Sequence, residues 1–129
     1  MFSVTFKVRY AETDQMGVVY YANYFVWMEF ARTEWFESQC ALSYAELERR
    51  GILLPVLEAH CNYKKPVRYP EMVTVFLLPR IVKNLYVEFE YEIKVGKVLK
   101  AIGFTKHAFV DRQGKIIRPV PEFVLKAMS

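Results

Sequence analysis

The sequence is poor in the side chains that build metal and redox centres. It has two cysteines, Cys40 and Cys61, and two histidines, His60 and His107, and none of them has the spacing of a metal site. We expect two buried thiols, with a disulfide or a nucleophilic cysteine as the alternatives. The histidines have no motif around them, so we expect structural roles for both. No metal site is predicted.

Long apolar runs are also missing. No uninterrupted apolar stretch approaches the length that crosses a membrane, so no span is predicted. The first ten residues alternate apolar and polar side chains, as a strand with two different faces does, and lack the continuous apolar block of a signal peptide. A cytoplasmic location is therefore the expectation.

The charge is distributed unevenly along the chain. Residues 1–63 hold five Lys/Arg and eight Asp/Glu, whereas residues 64–129 hold thirteen and six, for a net charge of +4. The basic second half suits either an anionic ligand or a solvated face. Its cations are spread through strands without a basic helix or an aromatic recognition motif, which disfavours a nucleic-acid partner.

The 129 residues, of which 53% are hydrophobic, predict one globular domain over 1–129. Residues 22–40 read as a long helix whose first half is apolar on nearly every side, so protein should surround it. Ser43, with Glu46 three residues later, predicts a short helix over 44–50 that ends at Gly51. A last short helix is expected over 122–128. No repeat, linker or low-complexity segment interrupts the chain.

The remaining segments have the period of strands. They cover residues 53–63, 72–82 with an interruption or kink near Pro79, 85–95, and 98–110 after a tight Gly96-Lys97 turn. Together with the first strand they predict an α+β fold, in which a curved antiparallel sheet of about five strands wraps around one long hydrophobic helix. One sheet leaves edges and part of the helix exposed, so we expect pairing with a second copy.

A single carboxylate in a turn is the strongest chemical signal. Asp14 stands between the first strand and the apolar helix, and Gly17 lets the backbone bend or approach a ligand closely. The N–H groups at the start of the following helix attract a negatively charged oxygen. This combination suits acyl transfer. A turn or capping carboxylate is the alternative for Asp14.

One motif spans the Asp14 turn: it consists of segment 8–24, VRYAETDQMGVVYYANY, followed by Glu29, Ala31, Arg32 and Glu34. This motif resembles the signature of hotdog-fold acyl-CoA thioesterases, in the branch similar to 4-hydroxybenzoyl-CoA thioesterase. Segments 65–69 (KPVRY) and 111–115 (DRQGK) also resemble sequences of that group. The resemblance implies a hotdog fold with the long helix inside the sheet. It also implies homodimers or homotetramers with active sites at the subunit interface.

The same resemblance implies which residues act. Asp14 would carry the chemistry as nucleophile or general base, beside Gly17, and the backbone N–H of Tyr21 would polarise the thioester carbonyl. Many family members have a histidine where Tyr21 stands, so only its N–H is assigned a role. The resemblance also implies an acyl-CoA substrate and no need for a metal or organic cofactor. Candidate substrate-binding residues are Asn23, which is alternatively a helix cap, and, for the phosphates of coenzyme A, Lys64, Lys65, Arg68, Arg80, Lys83 and Asn84.

Three other functions stay open at this point. A thioesterase that acts on acyl-acyl carrier protein suits the basic second half equally well. A hotdog dehydratase would rely on a histidine with a carboxylate, and neither His60 nor His107 lies in the Asp14 turn. A non-catalytic acyl-CoA-binding module would lack a carboxylate in the turn, whereas Asp14 is present.

Overall fold

The computed structural model describes residues 1–128. Its elements in chain order are β1 (Phe2–Lys7), α1 (Asn23–Gln39), α2 (Tyr44–Arg49), β2 (Val56–Tyr63), β3 (Met72–Val82), β4 (Tyr86–Val95), β5 (Val98–Ala108) and α3 (Glu122–Ala127). A short 3-10 turn, Tyr10–Glu12, follows β1.

The five strands form one antiparallel sheet in the order β1-β3-β4-β5-β2. The register sets β1 against the first half of β3, from Phe2 opposite Leu77 to Lys7 opposite Met72. On the other side, Tyr63 of β2 lies opposite Ala101 of β5. The end of β1, the start of β3 and the end of β2 therefore share one end of the sheet, and the segment that contains Asp14 leaves from that end.

Helix α1 packs across the inner face of the sheet. Its buried residues recur with the three- and four-residue spacing of one helix face: Tyr24, Trp27, Met28, Ala31, Arg32, Trp35 and Phe36. They meet alternate residues of the central strands, and the Trp35 and Phe36 rings lie 5.6 and 6.2 Å from the ring of Phe89. A helix on a curved antiparallel sheet is the hotdog arrangement, so the expected α+β fold is confirmed.

The opposite side of α1 is not covered within this chain. Val26 is 51% exposed and Phe30 is 40% exposed. The prediction that protein surrounds the whole helix is therefore met on one side only, because a single sheet reaches one side of a helix. The prediction of buried thiols also needs correction, since Cys40 and Cys61 are both free and only half-buried.

Proline and glycine explain where the observed elements differ from the predicted ones. Pro55 has no N–H for a ladder, and β2 begins just after it, at Val56 rather than at residue 53. β3 continues from Met72 to Val82 through Pro79, so the expected interruption is absent. Pro79 lies beyond the last pair between β1 and β3, so β1 requires no hydrogen bond from it. The Ser43 cap is present, since its Oγ accepts the Glu46 N–H at 3.2 Å.

A chain of polar side chains crosses the core between α1 and the sheet. Arg32 Nη1 donates to Tyr91 Oη at 3.2 Å, Tyr91 Oη lies 2.7 Å from Thr105 Oγ1, and His107 Nε2 lies 2.9 Å from the same Oγ1. Burial, together with the charge of Arg32, lowers the pKa of His107 to about 3. His107 is therefore a neutral, structural residue, as expected.

No helix within residues 1–128 is long and apolar enough to cross a membrane. In the same residues, no group of three or more His, Cys, Asp and Glu side chains is placed to hold a metal ion.

Candidate active site

Three hydrogen bonds close the Asp14 turn, and Asp14 itself takes part in each of them. The Asp14 N–H donates to the Val18 carbonyl at 2.9 Å, the Asp14 carbonyl accepts the Gly17 N–H at 3.0 Å, and Oδ1 accepts the Met16 N–H at 2.8 Å. Gly17 has φ +78°, a conformation that strains other residues. One carboxylate oxygen therefore fixes the turn, and Oδ2 accepts no hydrogen bond from residues 1–128.

The chain builds the same turn a second time. Asp111 donates its N–H to the Lys115 carbonyl at 2.8 Å, its carbonyl accepts the Gly114 N–H at 3.0 Å, and its Oδ1 accepts the Gln113 N–H at 2.9 Å. Both aspartates are half-buried. The hydrogen-bonded turn by itself is thus a structural unit. What distinguishes Asp14 is its neighbourhood.

The start of α1 supplies that neighbourhood. The Asn23 N–H donates to the Tyr20 carbonyl at 2.9 Å, and the Tyr24 N–H donates to the Tyr21 carbonyl at 3.3 Å. The preceding N–H groups, those of Tyr21 and Ala22, donate to no other group in the described part of the chain. Two free donors therefore stand at the positive end of a 17-residue helix.

Glu12, a residue not predicted from the sequence, fastens this helix start to the Asp14 segment. It is only 6% exposed. Its Oε1 accepts the Arg9 N–H at 2.8 Å and its Oε2 accepts the Trp27 indole N–H at 2.9 Å. Its carbonyl accepts the Tyr20 N–H at 2.9 Å. The spacing to Trp27 spans a loop and a helix start, so no local pattern in the sequence indicates it.

Asn23, the first residue of α1, also binds Glu12. Its Nδ2 donates to the Glu12 carbonyl at 2.9 Å, and its side chain makes no capping hydrogen bond. Of the two roles considered, the helix-cap role is therefore not the one observed. The side chain instead ties the helix start to the segment that precedes the turn.

Asp14 and the start of α1 border one open cleft of about 320 Å³. Its lining residues are Asp14, Met16, Val18, Val19, Tyr21, Tyr24, Tyr63, Lys64, Lys65 and Pro66. Tyr63, also missed from the sequence, donates its hydroxyl to the Tyr21 carbonyl at 2.9 Å across 42 residues of chain. Burial raises the pKa of Tyr24 and of Tyr63 above the ordinary tyrosine value. Both hydroxyls are therefore neutral donors near pH 7.

Basic side chains stand at the same end of the sheet. Lys64 and Lys65 line the cleft, and Arg68 places Nη1 3.4 Å from the Gly17 carbonyl oxygen. The backbone N–H groups of both lysines donate to the Lys100 carbonyl, and Lys100 Nζ donates to the Pro66 carbonyl at 3.0 Å. The segment after β2 thus holds its cations beside the carboxylate.

The other predicted phosphate contacts lie elsewhere. Lys83 and Asn84 form the β3–β4 turn with φ values of +57° and +51°. Ten residue steps of β3 separate that turn from Met72, which corresponds to about 30 Å. Arg80 is bound to Glu88 and Glu90 at 3.0 and 3.1 Å. Within one chain, these three residues are not brought to the Asp14 cleft.

Comparison with known proteins identifies the family. Residues 8–128 match the family model of the thioesterase-like superfamily. A protein of Aquifex aeolicus, provisionally named an esterase, is 32% identical over 123 residues, which cover 95% of this chain and 94% of that protein. A crystal structure of a DHNA-CoA thioesterase from Staphylococcus aureus superposes with a TM-score of 0.86 at 36% identity, covering 96% of this chain and 86% of that one.

A shorter match has higher identity. YneP of Bacillus subtilis, provisionally named an acyl-CoA thioesterase, is 51% identical over 69 residues. These residues are 54% of this chain and 49% of YneP, so the match spans about half of each protein. The match of the family model covers nearly the whole chain, and it agrees with the hotdog arrangement. The chain belongs to the thioesterase-like superfamily.

Proposed function

We propose that this protein hydrolyses acyl-CoA thioesters, releasing a carboxylic acid and free coenzyme A. The observation that carries the proposal is the shared cleft, which a half-buried carboxylate and a helix start with free N–H groups both border. Membership of the thioesterase-like superfamily supports the same chemistry.

In the proposed reaction the thioester carbonyl oxygen faces the Tyr21 N–H. A helix-terminal N–H carries a fixed partial positive charge, so it stabilises the oxyanion of the tetrahedral intermediate with little reorganisation. Gly17 shapes the turn that presents Asp14. The Asp14 carboxylate either attacks the carbonyl carbon, giving a mixed anhydride that water then hydrolyses, or removes a proton from the attacking water.

The leaving group requires little assistance. The C–S bond breaks as the intermediate collapses, and coenzyme A departs as a stable thiolate that is protonated in solution. A metal or organic cofactor has no step to perform in this scheme, and coenzyme A enters as part of the substrate.

The phosphates of coenzyme A are assigned to the basic residues beside the cleft. Lys64, Lys65 and Arg68 supply point charges and a planar guanidinium at its mouth. Asn23 remains a proposed substrate contact through the part of its carboxamide that Glu12 does not bind. Lys83 and Asn84 can take part only if a second copy of the chain brings its own β3–β4 turn to the cleft.

We therefore also propose a homodimer or homotetramer with the cleft at the subunit interface. The exposed Val26 and Phe30 on α1, and the unpaired outer edge of β2, are surfaces that association would cover. Light scattering coupled to size-exclusion chromatography tests this directly. A mass of one chain at micromolar concentration would contradict it and would remove Lys83 and Asn84 from the site.

An aromatic acyl group is the first substrate class to try. Tyr21, Tyr24 and Tyr63 line the cleft, and aromatic walls favour a planar aromatic ring. The Staphylococcus aureus neighbour is a DHNA-CoA thioesterase, which points the same way.

The test is release of free thiol from a panel of acetyl-, hexanoyl-, palmitoyl-, benzoyl- and 1,4-dihydroxy-2-naphthoyl-CoA. We expect turnover of at least one thioester, with the aryl thioesters favoured. The same acyl group on acyl carrier protein and on coenzyme A, compared in one assay, separates the two carriers. Binding of every thioester without thiol release would instead identify a non-catalytic acyl-CoA-binding module.

A further inference from the structure

The hydroxyl of Tyr63 links the sheet to the segment that leads into α1. It donates to the Tyr21 carbonyl at 2.9 Å, and that carbonyl also accepts the Tyr24 N–H at 3.3 Å. Tyr63 is the last residue of β2, where Tyr63 pairs with Ala101 of β5. The hydroxyl is thus held by the sheet rather than by the loop that it contacts.

Planarity of the peptide unit gives this hydrogen bond a consequence for the site. The Tyr21 carbonyl and the Ala22 N–H belong to one rigid plane, and the Tyr21 N–H belongs to the plane before it. Fixing the Tyr21 carbonyl from two directions therefore restricts rotation about the Tyr21 backbone. It also polarises the peptide, which strengthens the Ala22 N–H as a donor.

We propose that Tyr63 is a positioning residue for thioester hydrolysis. Its hydroxyl clamps the Tyr21–Ala22 peptide that leads into α1, so that the free N–H groups of Tyr21 and Ala22 stay aimed at the carbonyl oxygen of the thioester. This inference rests on the proposed function and adds the residue that orients its oxyanion donors. Tyr63 acts on the donors, not on the substrate carbonyl itself.

The alternative is that Tyr63 only packs. Its ring lies edge-on to Tyr24, with ring centroids 4.8 Å apart, and edge-on to Tyr21 at 6.4 Å. A phenylalanine keeps both ring contacts and loses only the hydroxyl. Tyr63→Phe therefore separates the hydrogen bond from the packing.

Tyr86→Phe is the matched control. Tyr86 lies at the start of β4, at the other end of the sheet, where Lys106 Nζ stands 4.3 Å from its ring centroid. Its hydroxyl makes no hydrogen bond within residues 1–128. Within one chain, the substitution removes the same atom at the end of the sheet opposite the cleft.

We expect Tyr63→Phe to lower kcat about tenfold, the loss that corresponds to one positioning hydrogen bond. This is smaller than the roughly 10²–10³-fold effect of deleting an oxyanion donor itself. KM should change by less than about twofold, because the ground state gains little from the donors. Tyr86→Phe should leave both constants unchanged.

A pair of ligands supplies a readout that packing alone would not move. Trifluoroacetonyl-CoA presents a ketone that becomes tetrahedral, and acetonyl-CoA presents one that stays planar. Tyr63→Phe should weaken binding of trifluoroacetonyl-CoA by the same factor as kcat and leave binding of acetonyl-CoA within about twofold.

Unchanged kcat in Tyr63→Phe, or equal weakening of both ketones, would overturn the positioning role while the proposed hydrolase stands. A wild-type protein that releases no thiol from any member of the panel would overturn the proposed function, and the role of Tyr63 with it. Thermal unfolding of Tyr63→Phe within about 2 °C of the wild type shows that the variant is folded.

Discussion

Asp14 and Asp111 share three backbone hydrogen bonds in turns of the same length, and Asp111 Oδ1 accepts one more from the Lys115 N–H, but the two residues stand in different surroundings. Asp14 borders a cleft beside the free N–H groups of a long helix, whereas Asp111 lies in a surface turn after β5. The turn explains why an aspartate and a glycine stand at these spacings. It does not explain a chemical role, which depends on what the second carboxylate oxygen faces.

Glu12 is the residue whose loss should disturb the site most without touching its chemistry. Removal of its carboxylate leaves the buried Trp27 indole N–H without an acceptor. We expect Glu12→Ala to lower the free energy of unfolding by about 2 kcal/mol, measured by urea denaturation. The acyl-CoA turnover that the proposed function predicts should fall with it, because the helix start is no longer fastened to the Asp14 segment.

Glu71→Ala is the control for this prediction. Glu71 Oε1 accepts the Arg68 N–H at 2.7 Å, as Glu12 accepts the N–H three residues before it, but Glu71 is half-buried and binds no indole. Its loss should cost less than about 1 kcal/mol. Equal destabilisation by the two variants would show that the Trp27 hydrogen bond contributes nothing.

At the scale of elements, Gly103 of β5 lies directly against the Met28 side chain of α1. A Cβ at that position would overlap the Cε methyl and the sulfur of Met28, whose side chain is fully buried. Gly103 therefore gives the helix room to approach the sheet.

This packing predicts strong coupling between the two positions. Gly103→Ala should destabilise the protein by about 1–3 kcal/mol through overpacking. Met28→Ala should cost about 2–5 kcal/mol through the cavity it leaves. In the double variant the new methyl occupies part of that cavity, so the combined loss should fall short of the sum by about 1 kcal/mol or more. Strict additivity in urea unfolding would contradict this packing.

The sequence predicts the strands well where a local alternation of apolar and polar residues marks them. The alternation in residues 85–95 placed Val87, Phe89, Tyr91 and Ile93 on one face, and all four are buried. The bounds of β3 agree with residues 72–82. Contacts between distant segments have no such period. The hydrogen bond of Tyr63 to Tyr21, that of Glu12 to Trp27 and the chain from Arg32 to His107 depend on which strand lies beside which helix.

The sequence also does not indicate which basic residues lie near the Asp14 cleft. Lys64, Lys83 and Asn84 look equivalent in sequence, since each stands next to a strand end. The antiparallel order puts the end of β2 beside the Asp14 turn and the end of β3 at the opposite end of the sheet. Alternation along a strand indicates which face a residue takes, but topology decides which end of the sheet it occupies.

For the whole molecule, His107 links stability to pH. Its pKa is about 3 in the folded protein and 6.5 in an unfolded chain, so the unfolded state binds more protons between those values. The stability that neutral His107 allows is complete above pH 6.5 and is lost as the pH falls toward 3. The slope reaches about 1.4 kcal/mol per pH unit.

Urea unfolding of the wild type and of His107→Gln from pH 7 to pH 4 tests this linkage. The free energy of unfolding of His107→Gln should not fall with pH through this histidine, as that of the wild type does. The difference between the two free energies should therefore shrink as the pH falls. His60→Gln changes the exposed histidine and should follow the wild type. A difference between wild type and His107→Gln that stays constant with pH would contradict burial of a neutral imidazole.

The most direct test of the whole account is thiol release by Asp14→Asn, measured beside Asp111→Asn. Each variant keeps an oxygen that can accept the turn hydrogen bond, so both proteins should unfold near the wild-type temperature. We expect Asp14→Asn to lose about 10²–10⁴-fold in kcat and Asp111→Asn to keep wild-type turnover. Wild-type turnover by Asp14→Asn, or equal losses in the two variants, would contradict a catalytic carboxylate at position 14.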